Sequence, residues 1–221
     1  MLIAIDAGHG GKDPGAIGNG LLEKEITLKL ALKTGVYLRT HYDCDVMYTR
    51  NRDVFLSLSE RVHMANLAKA DLFCSFHINS LNADSEGFET FRYPGTTGET
   101  AVLQQLVHSE VMKVMNNFGI PDRGVKQQDL AVLRETVMPA LLTETMFISN
   151  PDEAKLLKSE TFLEQVAQAH AVGLAKAARL RDKDENRYYL VTGTFATKEH
   201  AEEQAQRLRD MYGWLIHVKE R

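Results

Sequence analysis

The chain predicts an α/β fold, a largely parallel sheet flanked by helices, with a small βαβ appendage at its C-terminal end. Three observations lead there. Short apolar runs bounded by polar or turn residues recur along the first two-thirds of the sequence, as buried strands do. Segments with apolar residues at three- and four-residue spacing lie between them, and strands that alternate with helices pair in parallel through crossovers. A charged break, RDKDENR at Arg181–Arg187, then separates a strand–helix–strand pattern from everything before it.

The elements follow in order. Leu2–Ile5 is the first strand, and it runs into the glycine-rich DAGHGG. A helix is expected from Glu25 to Leu38, where Ile26, Leu30 and Val36 contribute to an apolar face. Val46–Thr49 is a weaker strand, and Leu56–Lys69 a helix carrying Val62, Ala65 and Leu67. Leu72–Ile78 is the next buried strand, with Glu99–Phe118 a long helix built on Leu103, Val107, Val111 and Met115. After Pro139 comes the strand Ala140–Thr143, then helical pattern from Glu153 to Leu180, broken around Ser159 into two helices. Residues 1–180 therefore read as the main domain and 181–187 as a charged linker. In the unit 188–221, YYLVTGTF and WLIHVKE are strands on either side of an amphipathic helix whose Ala201, Ala205, Leu208 and Tyr212 share a face. A unit that small buries little core by itself.

Composition excludes several classes. A formal charge of -4 provides no basic field for a nucleic-acid backbone, so that partner is not expected. No run approaches the roughly 18 apolar residues of a membrane span. Two cysteines are too few for a disulfide framework, and Cys74 sits in an apolar run where a buried thiol is expected. No basic leader followed by an apolar stretch opens the chain, which points to synthesis in the cytoplasm without a standard export signal.

In an open α/β sheet, ligands bind beyond the carboxyl ends of the strands. The first strand ends by presenting His9, DLFCSFHIN presents His77, and PALLTE ends at Glu144. Glu23 returns to the same rim at the start of the first helix. Taken singly, each has an ordinary explanation: a histidine in a turn, or a carboxylate at a helix start favoured by the dipole. Glu144 fits such an explanation least, since a carboxylate after MPALLT is costly to bury unpaired. Together the four suit a zinc site, which in catalysis commonly takes three N/O ligands and leaves a position for water. Two histidines and one glutamate would bind, and the other glutamate would serve as general base. Topology leaves open which glutamate does which. The other six histidines (His41, His63, His108, His170, His200, His217) mostly sit on helical patterns and are expected at the surface or in packing.

The ordered motifs IAIDAGHGGKDPGAIGNGLLEKEITL, then Thr49, Arg50 and Asp53, LSERVHMANLAKADLFCSFHIN, GFETF, RGVK and LAVLRETVMPALLTETMFISN resemble those of the zinc-dependent N-acetylmuramoyl-L-alanine amidases with an amidase-3 type catalytic domain. The resemblance covers Met1 to about Leu180. It is nearest to the leaderless sporulation and mother-cell-lysis amidases of bacilli and to phage lysins. It implies peptidoglycan as partner and one Zn2+ per chain, held by His9, Glu23 and His77, with Glu144 as the catalytic glutamate. It also places Asn79 and Arg134 in motifs near the site, as candidate substrate-binding residues. A monomer released to the wall by lysis, mother-cell rupture or a phage holin would fit. Two departures stand out. The family usually has a small residue where this chain has Ile78, and often glycine where it has Met146, and both are expected to touch the rim of the site. The tail YYLVTGTFATKEHAEEQAQRL is similar to one half of a SPOR-type peptidoglycan-binding repeat, which implies wall binding or packing on the main domain. A zinc peptidase acting on wall peptides, and a wall-binding protein without catalysis, are the competing readings.

Overall fold

The computed structural model describes residues 1–183 and 195–212. The chain divides into two units, Met1–Glu185 and Asn186–Arg221. The first begins with β1 (Leu2–Ala7), a two-residue-strand hairpin β2 (Ile17–Gly18) and β3 (Leu21–Leu22), and helix α1 (Glu23–His41). Then follow β4 (Asp45–Tyr48), α2 (Leu58–Leu67), β5 (Leu72–Asn79), β6 (Phe88–Arg92) and α3 (Glu99–Asn117). The unit continues with β7 (Asp122–Gln127), α4 (Ala131–Arg134), β8 (Ala140–Phe147), α5 (Pro151–Leu157) and α6 (Glu160–Ala177).

Six strands form one sheet in the order β4-β1-β5-β8-β6-β7. All neighbours are parallel except β6 and β8, so the sheet is largely parallel as the sequence predicts. Side chains alternate between its faces. Ile3, Ile5, Cys74, Phe76 and Leu141 point into the larger core, under α1, α3 and α6. Ala4, Phe73 and Leu142 point the other way, against Val62 and Ala65 of α2 and Val132 and Leu133 of α4. On the thick side α6 packs between α1 and α3. Gly173 permits this approach: a Cβ there would lie 2.6 Å from the Cα of Val107.

Local chemistry sets the helix ends. Ser57 and Glu60 form a reciprocal capping box that starts α2. Asn150 caps α5, with Pro151 at the first position. Ser159 accepts from the Phe162 N–H and starts α6, which is why the helical pattern breaks there.

The structure adds elements that the sequence does not announce. β8 runs on to Phe147 instead of ending at Thr143, so Glu144 lies within the strand. β6 (FETFR) and β7 (DRGVKQ) are interspersed with charged residues; β7 is an edge strand, where no continuous apolar run is required, and β6 lies inside the sheet between β8 and β7. In the second unit, helix α7 spans Lys198–Tyr212, where the amphipathic pattern lies. The strands expected at 188–195 and 214–220 fall outside the described residues, Phe195 excepted. Among the described residues no helix is long and apolar enough to cross a membrane.

Candidate metal centre and catalytic carboxylate

The site starts where β1 turns out of the sheet. His9 takes a left-handed backbone (φ 62), which costs a residue with a side chain about 1–2 kcal/mol. Two buried arginines hold the turn in place. Arg50 donates from Nε to the Ala7 carbonyl at 2.8 Å, and from Nη2 to the carbonyls of Gly8 and Lys24, each at 2.8 Å. Arg61 donates to the Ala7 and His9 carbonyls, both at 2.6 Å, and pairs with buried Asp6 at 2.8 Å. The turn bearing His9 and the first turn of α1 bearing Glu23 are thereby tied to the same guanidinium. Burial pushes Arg50 down to about 10, so it stays a cation at neutral pH. Asp53 completes the tie, accepting from the Gly11 N–H at 2.7 Å and pairing with Lys24. Gly8 lets the turn reach β5, since a Cβ there would sit 2.6 Å from His77 Nε2.

His9, Glu23 and His77 then converge. His9 Nε2 lies 3.2 Å from Glu23 Oε1, and His77 Nδ1 lies 3.0 Å from the same oxygen. One ligand atom from each residue falls within 4.8 Å of the others. Glu23 is almost fully buried and also accepts the N–H groups of Ile78 at 2.9 Å and Ala16 at 2.8 Å. Burial pushes its carboxyl up, but hydrogen bonds from His77 and His9 outweigh that and hold it far below the usual range. Burial likewise lowers His9, and Glu23 and Asp13 more than reverse it.

This set fits zinc. Two imidazoles and a carboxylate are a catalytic donor set, and bonds of about 2.0–2.1 Å in a tetrahedron put ligand atoms about 3.4 Å apart, close to the two spacings from Glu23 to the histidines. His9 Nδ1 is 2.9 Å from Asp13 Oδ2, and a carboxylate on the outer ring nitrogen is the usual partner of an imidazole that binds metal.

Glu144 stands beside the cluster. On β8 it is in register with His77 of β5 on one side and Glu89 of β6 on the other, all three on the thinner face. Its Oε2 is buried with no hydrogen-bond partner among the described residues. Burial first, then the charges of Glu23 and Glu89, push its carboxyl well above the ordinary value. Such a group is costly to keep and is the kind that catalytic sites retain.

The family model of N-acetylmuramoyl-L-alanine amidases matches residues 3–176. The chain belongs to that family. The amidase is 48% identical over 184 residues to an endolysin of Bacillus phage SPP1, a match covering 82% of this chain and 68% of the endolysin. It is 40% identical over 205 residues to a sporulation-specific N-acetylmuramoyl-L-alanine amidase of Bacillus subtilis, covering 92% of this chain and 78% of the relative. Among solved structures, the catalytic domain of CwlV, an N-acetylmuramoyl-L-alanine amidase from Bacillus (Paenibacillus) polymyxa, superposes with a TM-score of 0.76 at 35% identity. That match covers 81% of this chain and 99% of the domain.

Within the amidase, the four rim residues come together, and the two candidate substrate contacts do not behave alike. Asn79 is at the site but committed, donating from Nδ2 to Glu89 Oε1 at 2.5 Å and accepting the Ser80 N–H at 2.9 Å. Arg134 lies elsewhere. It lines a depression of about 390 Å³ with Tyr93, Pro139 and Ala140, four residues before Glu144 on β8, and is held by Asp129 and Glu135. The expectation for Ile78 and Met146 also needs correcting. Both side chains are buried in the larger core, on the face away from Glu144, so neither shapes the rim. Met146 has φ 69, a backbone that glycine adopts without strain.

Sequence reasoning missed Glu89, Arg123, Lys126 and the Arg61 clamp. Glu89 and Lys126 belong to polar strands without an apolar signature, and Arg61 reads as an ordinary helix-surface residue.

Proposed function

We propose that this amidase uses zinc, held by His9, Glu23 and His77, to hydrolyse the amide between the lactyl group of N-acetylmuramic acid and L-alanine in peptidoglycan. The observation that carries the reading is Glu144, a buried carboxyl with a free oxygen in register with one of the three donors. Bound zinc supplies a Lewis acid that polarises the scissile carbonyl and makes water a nucleophile at neutral pH. Glu144 takes a proton from the attacking water and returns it to the alanine nitrogen as the C–N bond breaks, leaving a lactyl carboxylate and a free amine. Asp13 keeps the His9 ring turned toward the donor cluster, and Arg50 and Arg61 hold the His9 backbone in its strained form. On this reading residues 1–180 form the catalytic domain, and the SPOR-like residues 188–221 bind the wall or pack on that domain. The enzyme meets its substrate when lysis releases it.

The test combines metal content with product chemistry. Elemental analysis should give about one zinc per chain in both wild type and Glu144→Ala. New N-terminal alanine should appear on purified walls with wild type, and about 10³-fold more slowly with the variant. New termini within the stem peptide instead of at its first alanine would make the protein a wall peptidase. A wild type that neither binds zinc nor acts after zinc is added would end the metal reading.

A further inference from the structure

Beyond Glu144 the same face of the sheet carries a second charged group. Glu89 is buried, and its carboxylate meets Lys126 Nζ and, at 3.2 Å, Arg123 Nε, both from the edge strand β7. Its other oxygen takes the Asn79 amide. Two cations share this one carboxylate. The cations are not used up by Glu89. Their side chains are 40% and 34% exposed, against 5% for Glu89. An ammonium has three N–H donors and a guanidinium five, and Arg123 spends one more, on the Glu86 carbonyl at 3.2 Å. Donors remain for an anion arriving from solvent.

Position says which anion. The His9 turn and its arginines lie on the β1 side of the cluster, and β6 and β7 lie on the other side of Glu144. Neighbouring strands lie about 4.8 Å apart, which puts the cations on Glu89 roughly 5–10 Å from Glu144. An extended peptide covers that in two or three residues, at about 3.3–3.6 Å each. Resting on the amidase reading above, we infer that Lys126 and Arg123 form a subsite for the α-carboxylate of the acidic residue that follows alanine in the stem peptide. Glu89 is then a positioning residue that gathers the two cations beside Glu144. Muramoyl peptides whose second residue keeps a free carboxylate are the preferred substrates over those in which it is amidated.

The experiment uses the zinc-loaded full chain with two soluble peptidoglycan fragments, identical except that the second stem residue carries a free α-carboxylate or its amide. Alanine amine release gives KM and kcat for wild type, Lys126→Gln and Lys126→Arg. Wild type should show a KM about tenfold lower for the free acid. Lys126→Gln should bring the ratio of the two KM values close to one, with zinc content and melting temperature unchanged, and Lys126→Arg should restore most of the preference. A wild type that does not discriminate would overturn the subsite, as would a Lys126→Gln variant that slows both fragments equally. The ion pairs with Glu89 would then only fasten the edge strand. Failure to cut the lactyl–alanine bond in either fragment strikes at the amidase reading itself, and the subsite falls with it.

Discussion

The two faces of the sheet put their buried titratable groups to different use. Under α1, α3 and α6 the buried histidines are held by partners, although the Thr145 hydroxyl on β8 has none among the described residues. The wholly buried His170 ring meets the Val166 carbonyl at 2.8 Å and Thr143 Oγ1 at 3.3 Å. His108 is held between Thr90 at 3.1 Å and Asp122 at 2.9 Å. On the other face α2 and α4 provide a thinner cover, and there the Glu144 oxygen is left without a partner while Glu23, His9 and His77 crowd together. Stability and chemistry are thus divided by residue parity along the same strands. Phe76 and Ile78 face the thick core while His77 between them faces the site, and Thr143 lies against His170 while Glu144 faces away. A slip of one residue in β5 or β8 would exchange the two sets.

Substitutions on the thick face should then cost stability and spare function. Leu163→Ala, at a fully buried position on α6, should destabilise by about 2–5 kcal/mol in urea unfolding. KM should stay at the wild-type value, and a shifted KM would mean that the faces are mechanically coupled.

Next in size is an acid effect. Burial pushes His170 down to about 4, against an ordinary value of 6.5. Below 6.5 the unfolded chain takes a proton that the folded ring refuses until about pH 4. Stability is therefore whole above pH 6.5 and lost as pH falls to 4, by on the order of 3 kcal/mol. Glu153 runs the other way. Burial raises it to about 7, so its contribution is full below pH 4.5 and lost as pH rises to 7. Over that window the two nearly cancel in the wild type, so His170→Asn should gain stability as pH falls from 7 to 4.5 where the wild type stays nearly flat, and equal slopes for the two would place the acid sensitivity elsewhere.

The smallest expected effect is one the two faces should share. Lys69, just past α2, and Arg179, just past α6, both have left-handed backbones (φ 53 and 51) and exposed side chains. Lys69→Gly and Arg179→Gly should each stabilise by about 1 kcal/mol, read as a rise in melting temperature. Unequal gains would show that one helix end draws on its surroundings for support.

What could be read in advance follows the same division. Strands buried on both sides announce themselves as apolar runs, so β1, β5 and the first half of β8 are legible, and the residues at or near their ends give His9, His77 and Glu144. β7 is not legible because an edge strand does not need an apolar run, and β6, though inside the sheet, is short and has Glu89 and Arg92 breaking its apolar pattern, so the Glu89 group was lost with them. The resemblance placed Arg134 near the site, yet its motif folds toward the start of β8. Ile78 was misplaced for want of parity, since the residue after His77 on the strand points into the core. Met146 shares the parity of Glu144, and only its left-handed backbone, which no sequence pattern announces, turns it into the core.

Met146 carries a consequence for redesign. A left-handed backbone costs methionine about 1–2 kcal/mol, whereas emptying its buried space would cost about 2–5 kcal/mol. Met146→Gly would relieve the smaller penalty and incur the larger one. The strain can be removed with a net gain in stability only where a neighbouring side chain is enlarged to refill the space, with Glu144 two residues away left in place.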